Sequence, residues 1–149
     1  MPQLPYTLED LLPHRAPMIL IDGIEEVDLE AKTLTAFVTV KPEWSKSHVA
    51  IEFMAQASAA LAGYADKVRN PGQAARPGFL LGTRKMSLKV PEFEVGKRYT
   101  IEVRNEFGDD EAGSFSCVVK DWNGNEVADA ILNAYRPLNI EDFMKGLQQ

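Results

Sequence analysis

The chain is poor in residues that build disulfides and metal centres. Its 149 residues include one cysteine, Cys117, and two histidines, His14 and His48. A lone cysteine excludes an internal disulfide, which favours a cytoplasmic protein. Cys117 alternates with Phe115 and Val119, so we interpret it as a small core residue. The three residues are too scattered for a zinc-type ligand cluster, and we predict neither a metal nor a cofactor.

Long apolar runs and an excess of positive charge are also missing. No run approaches the ~18 residues of a transmembrane helix, so we predict no membrane span. The net charge is −6, from 16 basic and 22 acidic residues. This balance argues against broad nucleic-acid binding. The length fits one globular domain, and we predict a single domain over residues 1–149.

The most informative segment of the chain is residues 48–64, because it is apolar or small at almost every position. Such a pattern predicts a buried helix over residues 48–68, with Ser47 or Ser45 as its N-cap and residues 70–72 as its stop. His48, Glu52 and Gln56 are spaced four apart and drift by about 40° per step, so they are expected on one face. A buried carboxylate is costly without a partner or a task.

The remaining segments are predicted to be mainly strands. A capping box at Thr7 and Asp10 indicates a short first helix, and Phe143 and Leu147 indicate a terminal one. Asn123-Gly124 predicts a two-residue hairpin turn. Two strands, one long helix and four further strands predict an α+β fold in which an antiparallel sheet wraps the helix. The predicted strands are residues 18–27, with a possible bulge at Gly23, and residues 33–40, 79–90, 99–107, 114–122 and 127–135.

Six segments in a fixed order resemble a known family: residues 12–22 (LPHRAPMILID), 52–57 (EFMAQA), 78–84 (GFLLGTR), 93–96 (FEVG), 113–115 (GSF) and 132–137 (LNAYRP). The first two are similar to motifs of the hot-dog-fold 3-hydroxyacyl-acyl-carrier-protein dehydratases, and the others resemble the aryl-polyene-pathway branch of that group. The resemblance implies a hot-dog fold and dehydration of 3-hydroxyacyl thioesters to trans-2-enoyl thioesters. It implies an acyl carrier protein or coenzyme A thioester as substrate. It also implies a homodimer or higher homo-oligomer, or assembly with a partner dehydratase subunit.

The same resemblance implies roles for individual residues. Glu52 matches the catalytic acidic residue of the helix motif, while the family's catalytic histidine begins a Gly/Pro-rich loop that this chain lacks. If the reaction uses a histidine as its base, the candidates are His48 and His14, which are the two histidines of the chain. The backbone N–H of Gly82 is the candidate donor to the thioester oxygen. Gln56 is a candidate for orienting Glu52.

A cationic group is the remaining element of the implied site. Basic side chains are suited to bind a phosphopantetheine phosphate or an acidic carrier protein. The candidates are Arg84, the lysines Lys85 and Lys89 that follow it, and Arg136 of the last motif. A solvated strand face explains the two lysines equally well.

Each candidate also has a structural interpretation. Glu52 would then form a buried ion pair with Arg84, and His48 would be a solvated residue of the first helical turn. His14 would be satisfied by neighbouring backbone, and Gln56 would be a core amide.

Two other functions fit the same resemblance. A hot-dog acyl thioesterase would use the helix carboxylate to activate water and would need no histidine. A non-catalytic subunit of a lipid or polyene pathway would bind acyl chains or a partner enzyme without turnover.

Overall fold

The structure, a computed structural model, describes residues 6–12, 19–72, 79–108 and 112–135. Two helices and six strands make up this part of the chain, and 3₁₀ turns at Pro42–Trp44 and Ser47–Val49 precede the long helix. The bounds are α1 Leu8–Leu11, β1 Gly23–Asp28, β2 Thr33–Thr39, α2 Ala50–Arg69, β3 Phe79–Leu88, β4 Arg98–Gly108, β5 Ala112–Lys120 and β6 Glu126–Tyr135.

All six strands join one antiparallel sheet in the order β1-β2-β4-β5-β6-β3. Strands that follow one another closely pair as hairpins, whereas β2 pairs with β4 across the intervening helix. The two edges of the sheet are therefore β1 and β3. This arrangement confirms the predicted antiparallel sheet with two strands before the helix and four after it.

The core lies between α2 and one face of the sheet. Alternate residues of the strands point to this face, as Leu34, Ile101 and Val119 show, and they pack with Phe53 and Met54 of α2. Each fully buried side chain of this size contributes about 1.5–3 kcal/mol to folding. The apolar face of α2 is thus held by burial, and the intervening strand residues face outward.

The long helix begins later than predicted. It starts at Ala50, its N-cap is Val49, and no side chain caps it, so the prediction of Ser47 or Ser45 as N-cap is wrong. Tertiary contacts override the local capping preference: the Ser47 N–H donates to Pro91, and the Ser45 carbonyl accepts from the Phe93 N–H. The predicted stop is confirmed, since Asn70 is the C-cap.

The first strand is shorter than predicted. β1 begins at Gly23, and its register shift lies between Ile24 and Glu26 rather than at Gly23. Residues 19–22 precede the strand because two of their backbone N–H groups bind a helix side chain, as described below. The predicted alternation of β2 and the capping box of α1 are confirmed. The predicted terminal helix lies outside the described residues.

The last hairpin has a longer turn than predicted. Its strands end at Lys120 and begin again at Glu126, so five residues form the loop. The carboxylate of Asp121 accepts the N–H groups of Asn123 and Asn125, both at 2.9 Å. Gly124 has a φ of 85°, which glycine adopts without steric cost. The Asp121 side chain therefore organises a wider turn than Asn123-Gly124 alone predicts.

The small residues of α2 serve two surfaces rather than one. Ala57 and Ala60 are fully buried, whereas Ala55, Ala59 and Ala62 are half-exposed on another face of the helix. Gly63 packs against α1, because a Cβ atom there would lie 2.2 Å from the backbone oxygen of Leu11. Only some of these small residues therefore face the sheet; the others lie on the open face of the helix or against α1. No helix among the described residues is long and apolar enough to cross a membrane.

Candidate active site

The first turn of α2 is anchored by the loop that follows β3. Lys46 and Glu92 form an isolated antiparallel bridge, and their side chains form an ion pair at 2.5 Å. Lys46 lowers the pKa of the Glu92 carboxyl through a hydrogen bond and charge. Because this pair is exposed, it contributes little to stability. The backbone bonds of Ser45 and Ser47 to residues 91–93 fix the helix start more firmly.

An aromatic stack lies beneath the same turn, and the sequence interpretation missed it. The ring of Phe53 lies 6.0 Å from Trp44 and 6.1 Å from Phe93 between centroids, and Phe93 contacts Tyr99 at 4.9 Å. These rings come from four separate segments, so no local spacing signals the cluster. Phe53 follows Glu52 directly, and its packing fixes the backbone that carries this carboxylate.

Glu52 is exposed, and the expectation of a buried carboxylate is wrong. The sheet covers only part of the helix circumference. Glu52 lies on the uncovered part together with the half-exposed Ala55, Ala59 and Ala62. The carboxylate of Glu52 has no hydrogen bond and no ion pair among the described residues. The open helix face therefore presents one free carboxylate above a row of alanines.

The predicted ion pair between Glu52 and Arg84 is absent from the described part of the chain. Arg84 lies on β3 opposite Ile131, whereas its neighbour Thr83 lies opposite the buried Leu132. Because alternate strand residues point to opposite faces, Arg84 points to the face of the sheet away from the helix. The register of β3 thus explains why the two side chains do not meet.

Gln56 is in a different environment from Glu52, although the two lie one helical turn apart. Its side chain is 3% exposed, and its Oε1 accepts the N–H groups of Leu20 at 2.8 Å and Ile21 at 3.4 Å. Gln56 is turned by about 40° from Glu52 around the helix axis, and it lies under residues 20–21. The predicted common face of the three residues is therefore wrong at Gln56.

The two histidines differ in what the structure describes. His48 lies in the 3₁₀ turn before α2 and is exposed, and its imidazole has no hydrogen-bond partner among the described residues. It is four residues before Glu52, at the same end of the helix. His14 lies outside the described residues, as does most of the motif that contains it.

Gly82 and Arg84 both lie on the edge strand β3. The register of β3 against β6 shifts between Leu80 and Gly82 and again between Arg84 and Ser87. A Cβ atom at Gly82 would meet no atom of the described residues within 4 Å, so packing against this part of the chain does not require glycine there. Irregular edge backbone and open space are features of a position that a substrate or a second chain approaches closely.

Cys117 is confirmed as a core residue. Its thiol is 1% exposed and lies 3.4 Å from the Ser58 hydroxyl. Burial raises the pKa of the Cys117 thiol to about 11. A thiol with so high a pKa is a poor nucleophile at neutral pH.

A polar groove lies on the outer face of the sheet, and Glu52 is not among the residues that line it. This groove of about 420 Å³ is lined by side chains that include Glu26, Glu102 and Arg104. Within the described ranges, no group of three His, Cys, Asp or Glu side chains is placed to hold a metal ion.

Comparison with protein families decides the family of this chain. Residues 6–145 match the ApeP-like family, described as ApeP dehydratase. The chain belongs to the ApeP-like dehydratase family. The predicted similarity to dehydratases of the aryl-polyene branch is thereby confirmed. A comparison with curated proteins finds no match.

Solved structures support the same conclusion and the fold. The chain is similar to the dehydratase heterocomplex ApeI:P from Xenorhabdus doucetiae, with 27% identity, a TM-score of 0.87 and coverage of 97% of this chain and 99% of that one. It also resembles the PaaI protein of the E. coli phenylacetic acid degradation operon, with 14% identity, a TM-score of 0.57 and coverage of 78% and 82%. A hypothetical thioesterase with coenzyme A from Streptococcus pneumoniae TIGR4 matches at 12% identity, a TM-score of 0.57 and coverage of 77% and 84%. These likenesses confirm the hot-dog fold, and the last two show the fold alone.

Proposed function

We propose that this member of the dehydratase family converts 3-hydroxyacyl thioesters on an acyl carrier protein to trans-2-enoyl thioesters. The observation that carries the proposal is the position of Glu52. The carboxylate stands in the first turn of α2 on the uncovered helix face, and no described side chain neutralises it. A fold that keeps a carboxylate free on an otherwise alanine-lined face leaves it available to a substrate.

The proposed reaction needs two groups with opposite tasks. A base removes the proton from C2, the C2=C3 double bond forms, and the C3–O bond breaks as the hydroxyl takes a proton and leaves as water. We assign proton donation to Glu52, directly or through a water that it holds. The base is an imidazole, from His48 or His14.

Charge that develops on the thioester oxygen needs a hydrogen-bond donor. We propose the backbone N–H of Gly82 for this task, because β3 is irregular there and no side chain of the described residues fills the space. The N-terminus of α2 adds a favourable dipole. Gln56 acts mainly through structure, since its oxygen is bound to residues 20–21.

We propose that the complete site forms between two subunits. The uncovered face of α2 and the free edge of β3 both lack a covering element among the described residues. Arg84, exposed on β3, would bind the phosphate of phosphopantetheine or an acidic carrier protein. The similar solved structure is a heterocomplex, so the second subunit is either another copy of this chain or a partner dehydratase. The single buried cysteine favours the cytoplasm as the place of action.

The reaction class is tested by following two products at once. The protein is incubated with a 3-hydroxyacyl chain attached either to an acyl carrier protein or to coenzyme A, while enoyl absorbance and free thiol are recorded. We expect enoyl absorbance to rise without thiol release, and to rise faster with the carrier-bound chain. Thiol release without enoyl product would establish a thioesterase instead, and binding without turnover a non-catalytic subunit; either result contradicts the proposal.

A further inference from the structure

The free edge of the sheet at β3 carries two cations without partners. Arg84 and Lys85 are adjacent and exposed, and neither side chain has an ion pair or a hydrogen bond among the described residues. Lys89, just beyond the end of β3, differs because it has partners. Its Nζ atom lies 3.4 Å from a carboxylate oxygen of Glu126 and 3.8 Å from one of Asp129. On a chain with a net charge of −6, the β3 strand carries two positive charges and no negative charge.

The backbone of the same edge is irregular. Lys85 has a φ of 53°, a left-handed conformation that costs a non-glycine residue about 1–2 kcal/mol. The register of β3 against β6 shifts between Arg84 and Ser87. Bulges and lysines on an edge strand discourage indiscriminate strand pairing.

Pairing of β3 with a second copy would bring these charges together. An isologous antiparallel pair places a two-fold axis near the centre of the strand, and Arg84 is close to that centre. If the two-fold axis passes within one residue of the strand centre, the two Arg84 side chains point to the same face of the sheet. They then lie directly or diagonally opposite each other, with their Cβ atoms about 5–8 Å apart. Like charges in these positions oppose pairing.

We infer that Arg84 and Lys85 select a different subunit with an acidic edge strand over a second copy of this chain. Carboxylates facing Arg84 would turn the repulsion into attraction and leave the ladder hydrogen bonds unchanged. The inference rests on the proposed function only for the location of the active site at a subunit interface. Association is measured without substrate, so its failure is distinguishable from failure of the proposed reaction.

A charge-swap experiment tests this selection with the full chain alone. Sedimentation velocity compares the wild type, Arg84→Glu, and an equimolar mixture of the two, at low and high salt. We expect the mixture to associate with a dissociation constant at least about fivefold lower than that of the wild type alone. High salt should strengthen wild-type self-association and weaken the mixed pair, because screening acts on both signs of interaction.

The matched control is Arg104→Glu, an identical charge change at an exposed position of the interior strand β4. Circular dichroism and thermal melts confirm that each variant folds, and Lys85→Glu replaces Arg84→Glu if the latter does not. Wild-type dimers that are tight and insensitive to salt would overturn the inference. So would a mixture with Arg84→Glu that associates no better than the mixture with Arg104→Glu.

A third outcome concerns the opposite edge. β1 carries Glu25, Glu26 and Asp28, so β3 of one copy and β1 of the next are also complementary in charge. Such head-to-tail pairing is heterologous and would produce open chains larger than a dimer. Species of that kind in the wild type, reduced by Glu26→Lys, would also overturn the selection of a different subunit.

Discussion

At the scale of single residues, α2 gives two polar side chains one turn apart opposite environments. Gln56 is buried and accepts two backbone N–H groups, whereas Glu52 is exposed and free of partners among the described residues. An amide can satisfy buried backbone donors without bringing a charge into the core. A change at Gln56 is therefore expected to affect stability first, and a change at Glu52 to affect activity.

Replacing Gln56 by leucine should destabilise the fold. The N–H groups of Leu20 and Ile21 lose their acceptor, which costs about 1–3 kcal/mol when such donors remain buried. Urea unfolding measures the loss. Ser58→Ala is the control, since that hydroxyl bonds to the Met54 carbonyl and the Cys117 thiol and accepts no backbone N–H group. If Gln56→Leu instead leaves stability unchanged and lowers only the turnover rate, the amide serves the active site rather than the core.

The buried thiol predicts a specific alkaline effect. Burial raises the folded pKa of Cys117 to about 11 from an ordinary value of 9.0, so the folded protein holds this proton more tightly than the unfolded chain. The stabilisation is complete below pH 9 and is lost as the pH rises towards 11, by about 2–3 kcal/mol. Unfolding free energies of the wild type and Cys117→Ala, measured from pH 8 to pH 11, should converge. Parallel curves would contradict this account.

At the scale of elements, α1 is positioned by a contact that only glycine permits. Gly63 lies against the backbone of Leu11, and the added Cβ of alanine would come within 2.2 Å of the Leu11 oxygen. Backbone cannot move aside as easily as a flexible side chain. The docking of α1 on α2 therefore depends on the absence of a side chain at position 63.

Gly63→Ala should lower the unfolding free energy by about 1–3 kcal/mol, in spite of the better helix propensity of alanine. Gly72→Ala is the matched control, because nothing lies within 4 Å of its added Cβ, and its effect should stay within about 0.5 kcal/mol. Thermal or urea unfolding of both variants measures the two changes in unfolding free energy. Equal stability of the two variants would mean that α1 shifts without cost.

On β3, Gly82→Ala should have the opposite effect from Gly63→Ala: it should affect activity and not stability. The added methyl group meets no atom of the described residues within 4 Å, so the melting temperature should remain that of the wild type. If the substrate approaches the Gly82 backbone as proposed, the methyl group should raise KM or lower kcat by tenfold or more, about 1.4 kcal/mol of transition-state binding. An active and equally stable variant would remove Gly82 from the proposed site.

The elements also show what sequence patterns can and cannot establish. The alternation of Leu34, Ala36 and Val38 predicts β2 correctly, because burial on one sheet face imposes a period of two. The start of α2 is not predictable in this way, since it is set by bonds from Ser45 and Ser47 to residues 91–93. Local signals fail where a distant segment supplies the hydrogen bonds.

At the scale of the whole molecule, the helix is less enclosed than its composition indicates. Residues 49–64 are almost entirely apolar or small, which predicts burial on all sides, yet a single sheet covers only part of the circumference. Composition alone does not reveal whether the chain or a second subunit covers the remaining face. For this reason the sequence predicts a buried Glu52, whereas the structure places this residue on the exposed face of the helix.

The family of the whole chain is established, whereas its chemistry is a proposal. The family match and the ApeI:P likeness span nearly the complete chain, whereas the thioesterase-like structures share only the fold. The sequence lacks the usual histidine loop, and the proposal therefore assigns the base to His48 or His14. The central claim is narrower and does not depend on which histidine acts: Glu52 donates the proton that leaves with the hydroxyl.

The most direct test of that claim compares Glu52→Gln with Glu30→Gln in the dehydration assay. Glu30 is exposed in the turn between β1 and β2, so the control makes the same chemical change away from α2. The rate of enoyl formation from a carrier-bound 3-hydroxyacyl chain should fall about 10²–10⁴-fold in Glu52→Gln, with unchanged melting temperature, and stay at the wild-type value in Glu30→Gln. A Glu52→Gln protein that dehydrates its substrate at the wild-type rate would contradict the account.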